Sequence, residues 1–210
     1  MANIFAKFFP IAALGGLAYG AYRWQQNWGA NQEDVESPLP GDDLVENAKL
    51  VNTRAIDIAA PAEAVWPWLV QIGQDRGGFY SYEVVENLMG LDIQNTDAIN
   101  PEWQDLKVGD PVKLAEGMAL EAKIVDAPEA LVLYGSGQDP EAPVDFDFTW
   151  QFILQRVDDA SCRLIERERY GWATTKGALQ VLPVNPFTFV MTHKMLKGIK
   201  ERAEANVTAV

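Results

Sequence analysis

Apolar and polar residues alternate most regularly between Asp145 and Arg156. Phe146, Phe148, Trp150, Phe152 and Leu154 point one way along an extended chain, and Asp145, Asp147, Thr149, Gln151 and Gln155 the other. A period of two over this length predicts a strand with one face against a core. Further strands are expected at Val51 to Ile58, Pro111 to Ala115, Ala119 to Val125, Ala130 to Tyr134 and Cys162 to Trp172. In the third of these, Leu120, Ala122 and Ile124 share a face. Gly109-Asp110, Asp126 to Pro128 and Asp158-Asp159 supply turns between them. Helical spacing occurs three times. Val65, Trp68, Leu69 and Ile72 follow Ala60-Pro61, with Pro67 inside and Gly73 as a stop. Val84, Val85, Leu88 and Met89 form the expected buried stripe of a second short helix, capped by Ser81 and ended by Gly90. The third begins at Asn185-Pro186 and carries Phe187, Val190, Met191, Met195 and Ile199 as its apolar stripe. The order is one strand, two short helices, a strand meander and one long helix. That predicts an α+β domain with an antiparallel sheet.

The first thirty residues break this pattern. Phe8 to Tyr22 is uncharged between Lys7 and Arg23, and residues 4–24 together approach the length needed to span a bilayer. The segment is open to three readings: a membrane anchor, a cleaved signal with Ala18-Tyr19-Gly20 as its small-x-small site, or an apolar helix packed on the domain. If it spans, Lys7 and the amino terminus against Glu33, Asp34 and Glu36 favour an extracytoplasmic domain, with secreted and cytoplasmic locations as alternatives. Residues 31–47 read as an acidic linker rich in turn formers, so the expected division is 1–30, 31–47 and a domain over 48–210.

Composition then narrows the chemistry. The 210 residues carry a formal net charge of -13, which argues against a nucleic-acid partner. Cys162 is the sole cysteine and His193 the sole histidine, so neither an intrachain disulfide nor a zinc site of several His or Cys ligands can form. No cofactor or metal is implied, and oligomeric state is not indicated. Gly77-Gly78 lacks the Gly-Lys-Ser/Thr of a phosphate loop.

The stretch "TRAIDIAAPAEAVWPWLVQIGQDRGGFYSYEVVENLMG" (Thr53 to Gly90), with "PEWQDLKVGD" (Pro101 to Asp110), resembles the SRPBCC superfamily of START and birch-pollen-allergen-like proteins. Within it, the similarity is to a bacterial branch labelled polyketide cyclase/dehydrase. The resemblance implies a helix-grip fold: a curved antiparallel sheet wrapped around a long C-terminal helix, with two short helices after the first strand and an apolar cavity between. It also implies hydrophobic ligands and, in some members, aldol cyclisation, dehydration or hydrolysis. Members share the fold and not the site.

Candidate site residues come from the faces. If the strand beginning at Cys162 pairs with the one ending at Arg156, Arg163, Arg167 and Arg169 lie outside, beside Asp145 and Asp147. Glu166 and Glu168 then fall on the aromatic face with Phe148, Trp150 and Phe152. A carboxyl on such a wall would have a raised pKa and could serve as general acid or base; the alternative is that both are solvated. Arg76, Tyr80 and Tyr82 flank the glycine corner, where they could hold a polar ligand end or simply build the corner. In the fold the resemblance implies, Met191 and Met195 of the last helix would line the cavity, where such a stripe otherwise reads as core. Three functions fit: binding of a hydrophobic small molecule or lipid, a cyclase or dehydratase using the carboxylates with Arg76 or a tyrosine, or a non-catalytic membrane-associated scaffold.

Overall fold

The computed structural model describes residues 20–137 and 144–208. From residue 31 on, the described residues contain six strands and five α-helices. The strands are β1 (Leu50–Ile58), β2 (Pro111–Ala115), β3 (Met118–Asp126), β4 (Ala130–Gly135), β5 (Asp147–Arg156) and β6 (Cys162–Gly171). They form one sheet in the order β1-β6-β5-β4-β3-β2, every neighbour antiparallel. The helices are α1 (Gln32–Glu36), α2 (Ala62–Val70), α3 (Glu83–Leu88), α4 (Thr175–Val181) and α5 (Asn185–Thr208). α5 packs along the sheet with α2 beside it, which is the helix-grip arrangement. The main core lies between them, with Trp68, Phe152, Leu133, Leu164, Leu196 and Ile199 fully buried.

Burial of both faces of the sheet accounts for several departures from simple alternation. Residues 31–47, expected as a linker, are folded against the outer face. Asn31 caps α1 through Asp34 in a reciprocal capping box, and Leu39 packs with Ala55, Ala130, Ile153 and Ile165 on that face. The arginine row is outside as expected, but its partners differ. Arg163 reaches Asp34 and Asp57, and Arg167 reaches Asp42 at 2.6 Å. Asp145 and Asp147 instead serve the loop ends, through Thr174 and through Ser136 and Gly137. Just before α1, the backbone N–H of Ala55 donates to Trp28 O, so the chain covers the β1 edge. In β3 a bulge after Ala122 shifts the register, so Leu120 and Ala122 face the main core while Ile124 turns to the outer cluster.

Two helices bury different residues from those expected. In α3, Val84, Leu88 and Met89 are exposed and Glu86 is buried. Ser81 does not cap it; its hydroxyl donates to Met191 O, tying the corner to α5. In α5, Phe187 and Val190 are exposed, and the buried stripe is Thr192, Met195, Leu196, Ile199 and Ala203. Asn185 is the first residue of α5 and is buried.

Residues 1–19, which hold most of the expected membrane segment at 4–24, lie outside the described residues. The chain is helical over 20–26. Among the described residues no helix is long and apolar enough to cross a membrane.

Candidate functional site

The sheet and α5 do not close on each other. Between them is a cavity of about 690 Å3, lined mainly by Phe79, Leu120, Phe146, Phe148, Trp150 and Met191. That volume lies within the range of about 300–1,000 Å3 common for small-molecule sites. Its aromatic wall follows from register. Phe148 pairs with Tyr170 and Trp150 with Glu168 across β5 and β6. Phe148 and Tyr170 stack at 4.6 Å between ring centroids, and Trp150 meets Phe152 at 4.9 Å.

Glu168 is the charged group from the buried centre of the sheet that reaches this cavity. Behind it lies a polar cluster absent from the sequence reading. Arg54 of β1 is fully buried, and its Nη1 lies 3.2 Å from both Glu166 Oε2 and Glu168 Oε1. Its Nε donates to Gln25 O at 3.1 Å, and its guanidinium sits over the Phe189 ring. Trp150 Nε1 donates to Glu166 Oε1 at 2.9 Å. Asn52 Nδ2 donates to Glu168 Oε2 and to Asn185 Oδ1, both at 2.7 Å, and the Thr192 hydroxyl donates to Glu168 Oε1 at 3.3 Å.

One guanidinium thus faces two carboxyls in a buried setting. Burial, reinforced by the neighbouring Glu168, raises the Glu166 pKa well above the carboxylate range, against the pull of Arg54 and Trp150. Burial tends to discharge Arg54, but the two carboxyls outweigh it and raise its pKa. The Tyr170 phenol is likewise raised, first by burial and then by the two glutamates.

The other sequence candidates divide. Trp150, Phe148, Met191 and Met195 line the cavity with Glu168. Phe152 and Glu166 stand behind the wall, Phe152 as core and Glu166 as the back of the carboxyl pair. The glycine corner is not brought to this cluster. Arg76 donates from Nη2 to Trp103 O, and burial lowers its pKa. Tyr80 is buried with a left-handed backbone (φ 55°), its hydroxyl donating to Trp68 O at 3.0 Å, and burial raises its pKa. Tyr82 is exposed. The corner is built by contact: a Cβ on Gly78 would stand 2.5 Å from Asn95 Oδ1, and one on Gly198 of α5 would stand 2.4 Å from Tyr80 O. His193 packs edge-on against Trp28 at 4.4 Å, and burial followed by Lys197 lowers its pKa.

Sequence reasoning missed Arg54, Asn52 and Asn185. One signal was available. Asn52 and Arg54 sit two apart in β1, on the same side as Ile56. A charged residue inside a strand rich in β-branched neighbours marks a buried partner.

No family model matches the chain, and no curated protein matches it. Solved structures similar to it include a hypothetical protein from Helicobacter pylori, at 13% identity and a TM-score of 0.45, covering 79% of this chain and 95% of that one. A point mutant of norcoclaurine synthase from Thalictrum flavum, in complex with a transition-state analogue, is 14% identical with a TM-score of 0.42, covering 75% and 95%. An HSP90 activator from Plasmodium falciparum is 15% identical with a TM-score of 0.44, covering 70% and 93%. What those proteins bind or catalyse does not transfer to this chain at such identities.

Proposed function

We propose that the protein binds a hydrophobic small molecule or lipid in the cavity between sheet and α5. The observation that carries this is the open interior of about 690 Å3, walled by aromatic and methionine side chains where a helix-packed sheet would ordinarily be filled. The resemblance to a superfamily of hydrophobic-ligand binders agrees with it. A void of this size argues against a purely scaffolding domain. Native mass spectrometry of the purified full-length protein tests the reading: a bound apolar compound is expected, and its loss in Met195→Trp, which fills the cavity. Protein that purifies empty and takes up no apolar compound would sink it.

A second reading, an acid–base enzyme of the cyclase or dehydratase type, draws on one observation. Glu168 stands at the cavity wall with Glu166, whose pKa burial raises, behind it, so the pair could pass a proton to or from a ligand. The compound carried by Glu168→Gln would then be the unreacted one, distinguished from the wild-type compound by mass after a dehydration or by fragmentation after a cyclisation, which leaves the mass unchanged. Identical compounds in both would count against turnover.

The apolar stretch at residues 4–24 is proposed to hold this domain at a membrane, close to a source of apolar ligand. The support is its composition and where the chain enters the fold. Trp24 packs on Phe189 and Trp28 on His193, beside α5, whose first turns carry the cavity-lining Phe187 and Thr188. Removal of residues 1–19 should release the protein from the membrane fraction; retention would refute the anchor.

A further inference from the structure

The cavity wall carries a charge pattern that the binding reading alone does not use. Three ionisable side chains meet behind Trp150: Arg54, Glu166 and Glu168. Their formal charges sum to one negative when both carboxyls are ionised. The cluster therefore has room for one more positive charge. Of the three, only Glu168 faces the cavity.

Around Glu168 the wall is aromatic. Trp150 is its direct partner across the strands, Tyr170 is two residues along β6, and Phe148 stacks on Tyr170 at 4.6 Å. All four line the same cavity. A carboxylate flanked by the faces and edges of aromatic rings is the chemistry that recognises an ammonium group. The rings attract a cation through their quadrupoles, and the carboxylate provides the counter-charge. An anionic head would meet the opposite: a third carboxylate brought beside two, with Arg54 already engaged by both and shielded behind them.

The polar network also holds Glu168 in place. Asn52 binds one oxygen, Arg54 and Thr192 bind the other, and the Tyr170 phenol is hydrogen-bonded to the same carboxyl. An ammonium arriving from the cavity side, between Tyr170 and Trp150, therefore meets a carboxylate whose position is already set. Two donors in the cluster, Arg54 Nη2 and Asn185 Nδ2, have no partner among the described residues. Neither residue lines the cavity, so neither offers an anion a seat there.

We propose that the cavity is selective for hydrophobic amines, the ammonium seated against Glu168 between Trp150 and Tyr170 and the apolar body running toward Met191 and Leu120. This inference rests on the cavity-binding reading and names the ligand class for it.

Calorimetric titration of the full-length protein with decylamine, decyltrimethylammonium, decanol and decanoate separates the two claims. Near-physiological salt screens attraction to the acidic surface. Decanol is expected to bind, both cations to bind about tenfold or more tighter than decanol, and decanoate to bind weakest. The two cations distinguish an amine that needs N–H donors from a quaternary ammonium held by the rings. Glu168→Gln, which leaves the surface charge unchanged, should bring the ratio of cation to decanol affinity close to one. Equal affinity for decanol and the cations, tightest binding by decanoate, or a cation preference that survives Glu168→Gln would each overturn the ammonium site while leaving the cavity reading standing. Failure of decanol to bind at all would overturn the cavity reading and this inference with it.

Discussion

Removing the Arg54 guanidinium tests the account of the buried cluster most directly. Arg54→Met keeps an unbranched apolar stem of similar course and deletes the charge. In the native protein the guanidinium lies 3.2 Å from a carboxyl oxygen of each glutamate, and the three side chains are between 0% and 4% exposed. Deleting one partner of a buried ionic set costs about 3–5 kcal/mol, because the charge left behind stays out of water without compensation. Against a domain stability of about 5–15 kcal/mol that is a large fraction. The cost must depend on pH. Without Arg54, the folded variant has to take up more protons at this cluster than the wild type does. Glu166, whose pKa is already raised in the wild type, contributes stability that is complete below its unfolded value of 4.5 and is lost as pH rises. Deleting the arginine extends that loss, so the gap between variant and wild type should be small near that unfolded value and reach its full size at pH 8. Urea unfolding at both pH values measures it, and adding Glu166→Gln to Arg54→Met should recover a substantial part at pH 8 by removing one of the stranded carboxyls. A loss below about 1 kcal/mol at pH 8, or one equal at both pH values, would refute the claim that Arg54 compensates a buried carboxyl pair.

Three further outcomes follow from other parts of the molecule. Glu86 is buried with one carboxyl oxygen unpartnered, and burial, with a smaller push from Glu83, raises its pKa from 4.5 to about 7. Its contribution to stability is full below pH 4.5 and lost as pH rises through 7, so Glu86→Gln should stabilise the fold at pH 8 by about 1–2 kcal/mol, after allowing for solvent near α3, and by almost nothing at pH 4.5. Urea unfolding at the two pH values checks this. Gly198→Ala drives a methyl into Tyr80 O and Cβ, at 2.4 and 3.0 Å, and should cost about 1–3 kcal/mol in the same measurement; a neutral effect would show that α5 need not meet the corner so closely. Cys162 is buried at 1% exposure, and burial pushes its thiol up to about 11, so a thiol reagent should label it only after denaturant is added. Rapid labelling of folded protein at pH 8 would contradict that burial.

The order of elements along the chain and the face of β6 that carries the carboxylates were legible in the residues. Alternation in β5 sets Phe148, Trp150 and Phe152 to one side, and antiparallel pairing with β6 then places Glu166 and Glu168 opposite them. These are local facts: side chains alternate along a strand and neighbours pair in register. The arginine row on the outer face followed from the same rule. The long terminal helix and its start at Asn185 were readable from spacing and the proline that follows.

Other features depended on contacts between residues far apart in the chain. Arg54 lies 112 residues from Glu166, and no pattern near either one shows that a single cation would meet two carboxyls. Asp34 and Asp42 look like linker residues until the segment folds over a sheet whose outer face also carries Leu39, Ala55 and Ile165. In α3 the periodicity of Val84, Leu88 and Met89 signals an apolar face correctly, yet it does not say which way the helix turns; Glu83 accepting from Asn95 N–H and the hydrogen bonds of Asn87 to Ile93 hold Glu86 inward instead. The cavity belongs to this second kind. A row of aromatic and methionine side chains marks a surface that avoids water, but whether it is met by other side chains or by empty space is a matter of the distance between sheet and helix, which is set by the corner at Tyr80 and Gly198 and by packing across the whole domain.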